Sequence, residues 1–110
     1  MSTIQGEFEH LVLLSTMRLR QDAFTAAIVE ELETRTGRDV APPAVYVALR
    51  RLEKKELVRS AMRRDGNSGA LRERRFFEVT EAGLDALRSS RQQLASMWDG
   101  FEDLLGGSSS

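Results

Sequence analysis

Residues 42–83, PPAVYVALRRLEKKELVRSAMRRDGNSGALRERRFFEVTEAG, constrain the fold more than any other part of the chain. Pro42 and Pro43 open a short segment in which Val45, Leu49 and Leu52 recur at i, i+4 and i+7, the spacing of a buried helix face. Proline fits the first turn of a helix because its missing N–H would have had no partner there. Ala44, Val47, Arg50, Arg51 and Lys54 fall on the other surfaces. Residues 57–62 read as a strand and 63–71 as a loop built around Asp65-Gly66-Asn67-Ser68-Gly69. Residues 74–79 read as the return strand, with Phe77 and Val79 on one face. Thr80 is placed to cap a following helix, and Glu81 in its first turn suits the helix dipole.

Charge is concentrated in the same block. Residues 38–75 hold 11 Lys and Arg against 5 Asp and Glu, a net +6, whereas the rest of the chain holds 5 against 12, a net −7. The overall charge of −1 therefore conceals one basic face, the footprint of a phosphate-backbone binder. A helix with arginines on its outer side, followed by a basic hairpin, is the order of a winged helix. The expected fold is α+β and mostly helical, a winged helix-turn-helix with an extended C-terminal dimerisation helix. Residues 4–79 form the DNA-binding domain, 80–105 the dimerisation helix and 106–110 a flexible Gly/Ser tail.

Upstream, residues 4–19 carry Ile4, Phe8, Leu11, Val12, Leu14 and Leu19, a stripe wide enough for a helix covered on more than one side. Asp22 is expected to cap a second helix. Its apolar stripe is Phe24, Ala27, Ile28, Val29 and Leu32, and Gly37 ends it. Downstream, Leu84, Leu87, Arg91, Leu94, Trp98, Phe101 and Leu105 are spaced 3, 4, 3, 4, 3, 4, a heptad seam with Arg91 its only polar member. One helix of about 25 residues running past a small domain needs a second copy to cover that seam. Phe8 of the first helix joins the expected interface, and Glu7 or Glu9 is the expected counter-charge for Arg91.

These residues together resemble the PadR family of bacterial transcriptional repressors over roughly residues 6–100. The family's Leu-Tyr-Pro before Leu-x-Arg-Leu-Glu is matched by Val45-Tyr46-Val47-Ala48-Leu49-Arg50-Arg51-Leu52-Glu53. Its wing return, a basic pair, two tyrosines and x-Leu-Thr-x-x-Gly, is matched by Arg74-Arg75-Phe76-Phe77-Glu78-Val79-Thr80-Glu81-Ala82-Gly83. The start of its second helix is matched by Phe24-Thr25-Ala26-Ala27-Ile28. The single C-terminal helix is similar to the family's short subgroup. Val47 stands for the proline, Phe24, Phe76 and Phe77 for tyrosines, Thr25 for a glycine, and Glu56 for the glycine that closes helix three.

The expected function is sequence-specific binding of a palindromic double-stranded operator by a cytoplasmic homodimer acting as a repressor. The expected DNA contacts are Thr25 on helix two, then Pro43, Ala44, Tyr46, Val47, Arg50, Arg51 and Lys54 on helix three, with Arg63, Arg64, Arg72, Arg74 and Arg75 on the wing. Tyr46 either packs half-buried or touches a phosphate. Trp98 either packs in the dimer interface or, with Phe8 and Leu94, walls a pocket for the flat aromatic effector that the resemblance implies. The competing functions are a winged helix that docks an acidic protein and a small-molecule-sequestering protein with weak DNA binding. No cysteine is present, which removes disulfides and thiolate metal sites and fits a cytoplasmic location. No cofactor is expected. The lone His10 leaves a metal site to carboxylates, and none cluster. Neither Asp22 nor Ser15 has the positioned partner that catalysis requires, so no enzyme is expected. No apolar run approaches the roughly 20 residues of a membrane span, and no secretory signal is visible.

Overall fold

The computed structural model describes residues 4, 6–65 and 72–105. Helix α1 (Gly6–Leu19) runs into a 3-10 turn (Arg20–Asp22), followed by α2 (Thr25–Thr36) and α3 (Pro42–Lys54). Strands β1 (Val58–Asp65) and β2 (Arg72–Val79) form an antiparallel ribbon. Helix α4 (Glu81–Trp98) and a short 3-10 turn (Glu102–Leu105) end the described chain. This is the winged helix-turn-helix expected from the sequence.

Val12, Ile28, Val45, Leu49 and Leu52 of the periodic stripes enter the core. Leu13 and Leu57, which the stripes do not include, join them, while Leu11, Leu14 and Leu19 are only partly buried against it. Leu13, Ile28, Leu49, Leu52, Leu57 and Val45 are the larger of the fully buried side chains, and Phe77 of β2 joins them. At about 1.5–3 kcal/mol per fully buried aliphatic side chain, this cluster supplies the main drive to fold. Helix α1 is covered on several sides: Val12, Leu13, Ser15 and Thr16 are buried, and it touches α2, α3, α4 and β2.

Local signals decide the helix ends. Gly37 closes α2 with φ 73, its N–H donating to the Glu33 carbonyl at 2.9 Å. Pro42 and Pro43 occupy the first positions of α3. Past Lys54 the chain makes a Schellman turn, with Leu57 N–H on the Leu52 carbonyl and Glu56 N–H on the Glu53 carbonyl, both 2.9 Å. Glu56 sits at φ 64, in the left-handed region where its Cβ is strained. Replacing Glu56 with glycine is expected to raise stability by roughly 0.5–1 kcal/mol, read as a higher urea midpoint; an unchanged or lower midpoint contradicts strain at this site. Thr80 caps α4, its hydroxyl oxygen accepting from Gly83 N–H at 3.0 Å and its O–H donating to the Glu56 carbonyl at 2.7 Å.

Four expectations are corrected. Asp22 does not cap α2: it lies in the 3-10 turn, and Phe24 holds the N-cap position with no side-chain cap bond. The reason is long-range, since Phe24 is extended and bridges Phe76, while the Ala23 carbonyl accepts from Phe77 N–H at 2.8 Å. Arg63 and Arg64 are in β1 and not in the loop, because the ladder continues to Asp65 opposite Arg72. Residues 66–71, the rest of the expected loop, lie outside the described residues. The last helix is 18 residues, not about 25. Asp99-Gly100 breaks it, with Gly100 at φ 89, so Phe101 and Leu105 leave the line of the seam. Leu87, expected at a dimer interface, is buried inside this chain at 5% exposure, and Leu84 is half-buried.

Polar ties hold α1 to its neighbours. Buried Glu9 receives the Lys55 ammonium at 3.0 Å, linking α1 to the end of α3. His10 Nδ1 lies 2.9 Å from Ser90 Oγ on α4. Glu9 is therefore engaged within the chain, and Glu7 lies 3.5 Å from Arg38, so neither serves Arg91 here. Glu31 accepts from Arg35 at 2.6 Å and Arg18 at 3.1 Å. Arg35's hydrogen bond above all holds the Glu31 carboxyl below the usual carboxylate range, against a smaller opposing push from desolvation. What this half-buried, solvent-screened group adds to stability is small, is present above its unfolded pKa and fades as pH falls through the depressed folded value.

Candidate nucleic-acid interface

Helix α3 divides cleanly along its length. Val45, Ala48, Leu49 and Leu52 are buried, whereas Pro43, Ala44, Tyr46, Val47, Arg50, Arg51 and Lys54 are exposed. Tyr46, Val47, Arg50, Arg51, Glu53 and Lys54 line a shallow concavity of about 480 Å³. The outer face thus offers three cations around an aromatic and an aliphatic side chain, on a helix slim enough for a DNA major groove. Thr25, the first residue of α2, is half-buried.

A polar chain joins this face to the ribbon. Arg50 lies 6.0 Å from the Tyr46 ring centre, and its Nη1 is 3.8 Å from Glu53 Oε1. Ser60 Oγ donates to Glu53 Oε2 at 2.5 Å and accepts from Arg75 Nη1 at 2.9 Å. Sequence reasoning missed Glu53 and Ser60. Their meeting depends on where β1 lies against α3, which no local pattern reveals.

The ribbon's pairing separates its arginines. Ser60, Met62 and Arg64 share a face with Phe77, Arg75 and Glu73, while Ala61 and Arg63 share the other with Phe76 and Arg74. On that second face Arg63 stacks 3.8 Å from the Phe76 ring centre and donates to the Gln21 carbonyl. Arg74 stacks 4.3 Å from the Phe24 ring, and the two phenyl rings meet edge to face at 5.4 Å. Arg63 and Arg74 therefore clamp the wing to the start of α2, at roughly 0.5–2 kcal/mol per cation–π contact. Arg75 points back toward α3. Arg64 and Arg51 are exposed and make no side-chain hydrogen bond or ion pair among the described residues. Arg72 pairs with Asp65 in the ladder, but its side chain lies outside the described residues.

At the far end Leu94 is 54% exposed and Trp98 46%, with Phe101, Met97 and Leu104 also open to solvent. Phe8 is half-buried against this chain's own core. Met97 and Leu104 lie off the heptad spacing, so periodicity does not mark them. The Leu105 side chain lies outside the described residues. Arg91 is exposed. A second, half-open groove of about 680 Å³ lies between the end of α1 and the clamped face of the ribbon, and Met17 and Phe76 are among its walls. Neither concavity is lined by Phe8, Leu94 and Trp98. No helix is long and apolar enough to cross a membrane, and no group of three or more metal-ligating side chains occurs among the described residues.

Residues 13–89 match the model of the transcriptional regulator PadR-like family. The chain is similar to a PadR family transcriptional regulator from Eggerthella lenta, at 30% identity and TM-score 0.66, covering 89% of this chain and 83% of that one. It also resembles the fold of a PadR-like transcriptional regulator from Bacillus cereus (18% identity, TM-score 0.73, coverage 92% and 93%). A PadR family regulator from Clostridium difficile is similar in fold too (20% identity, TM-score 0.68, coverage 90% and 99%). No curated protein sequence matches this chain significantly.

Proposed function

Because the chain belongs to the transcriptional regulator PadR-like family, we propose that it is a cytoplasmic homodimeric repressor that binds a palindromic operator through α3 and the wing. The observation that carries this reading is the exposed Tyr46, Val47, Arg50, Arg51 and Lys54 face, continuous with Arg75 through Glu53 and Ser60. In a dimer, two copies of α3 meet successive major grooves, about 34–36 Å apart. Arg50 reads a base edge, Tyr46 and Lys54 meet backbone, and Arg64 with the neighbouring wing cations holds phosphates or enters the flanking minor groove. The exposed Leu94 and Trp98 pack against the second subunit. A small aromatic effector lodged among Phe8, Leu94 and Trp98 shifts the spacing of the two reading helices and releases the DNA.

The two kinds of arginine are expected to fail differently. Arg50→Ala weakens operator binding by about 1–3 kcal/mol and relaxes preference at one position of each half-site. Arg64→Ala weakens operator and random duplex alike and flattens the salt slope by about one unit. Titrations of both variants on an enriched operator and on scrambled DNA check this. If Arg64→Ala alters which sequence is preferred while Arg50→Ala does not, the roles are reversed. If neither variant binds less tightly than wild type, the basic face serves another partner, an acidic protein first among them.

A further inference from the structure

Val47 is 48% exposed and takes no part in the core, which α3 enters through Val45, Ala48, Leu49 and Leu52. It is the one branched aliphatic side chain on the exposed face of the helix. Arg50 and Arg51 follow at i+3 and i+4, so both cations rise from the next turn beside it. Tyr46, its other large neighbour, has the Arg50 guanidinium 6.0 Å from its ring. A lone surface valine is ordinary on most helices. This one lines the concavity together with Tyr46, Arg50, Arg51 and Lys54, on the half of α3 that a helix-turn-helix turns toward base edges.

We infer that Val47 is a specificity-determining residue whose methyl groups pack against the C5-methyl of a thymine, beside the base pair met by Arg50. The inference rests on the DNA-binding role proposed above. The thymine methyl is the apolar feature of the major-groove edges, and an aliphatic side chain is its complement. A valine in a helix holds one χ1 rotamer nine times in ten, so its methyls are in place before DNA arrives. The neighbouring arginines add attraction for phosphate or guanine but make no distinction between thymine and uracil. Val47 therefore supplies a preference that the charged residues cannot.

Uracil-substituted DNA tests this. Operator sequence is first enriched from a randomised duplex library with the wild-type protein, and each dT is then replaced by dU, which removes only the methyl group. One position per half-site is expected to weaken binding about fourfold, the ratio that corresponds to ~0.8 kcal/mol for one buried methyl group. In Val47→Ala, whose exposed position leaves the fold intact by thermal melting, the same replacement is expected to change affinity less than about 1.5-fold, closing a double-mutant cycle. Equal dU penalties in both proteins, or an enriched operator with no methyl-sensitive position, overturn the inference while leaving the operator reading intact. A library that yields no enriched sequence overturns both.

Discussion

Gly83→Ala is expected to destabilise the protein by about 3 kcal/mol or more, although alanine is the better helix former by ~1 kcal/mol. A Cβ at Gly83 lies 2.1 Å from the Leu57 carbonyl oxygen and 2.9 Å from Val79 Cγ1. The first obstacle is backbone and does not swing aside as a long side chain does. The Leu57 oxygen also accepts from Thr80 N–H at 3.0 Å, and Thr80 in turn caps α4. Relieving the clash means lifting α4 off the junction between α3 and β1, which exposes Leu87 and strips the cap. Urea unfolding followed by circular dichroism is expected to show a much lower midpoint at similar slope. A midpoint equal to wild type contradicts the close approach of α4 to Leu57.

Trp98→Ala is expected to have an effect of similar size, and in a different place. Trp98 is 46% exposed in the single chain, with exposed Leu94 and Met97 close by in sequence. If a second subunit buries it, truncation costs the dimer roughly 3–5 kcal/mol. Subunit secondary structure is expected to stay nearly unchanged, since α4 is held by Leu87 and the Thr80 cap, far from Trp98. Sedimentation is expected to show a wild-type dimer and a monomeric variant at micromolar concentration, and operator affinity falls because half-site spacing is no longer held. A monomeric wild-type protein refutes the dimer. A variant that stays dimeric and DNA-bound but ignores an aromatic effector places Trp98 in a ligand pocket instead.

Where structure depends on neighbours in sequence, it was legible before the fold. The i, i+4, i+7 spacing of Val45, Leu49 and Leu52 placed the buried face of α3, and by subtraction its exposed face. Thr80, Gly37 and the proline pair marked helix ends because caps are chemistry of a few consecutive residues. What escaped was set by distant contacts. Phe24 reads as the first apolar residue of a helix, yet it serves as a scrap of strand against Phe76. The pairing of Arg63 with Phe76 and of Arg74 with Phe24 needs the ribbon register, which the arginine count does not give. The heptad spacing ran through Asp99-Gly100 because periodicity tallies apolar positions and is blind to one glycine in the left-handed region. Leu87 fits the same spacing but is covered by its own domain. A seam read from sequence does not say which partner covers it.

The most direct measurement is a titration of the wild-type protein on its enriched operator and on a scrambled duplex, repeated between 50 and 200 mM salt. Nanomolar operator binding is expected, about a thousandfold or more tighter than to the scrambled duplex, with affinity falling steeply as salt rises. Equal affinity for the two duplexes, or binding that does not change with salt, contradicts a basic α3-and-wing face that reads DNA.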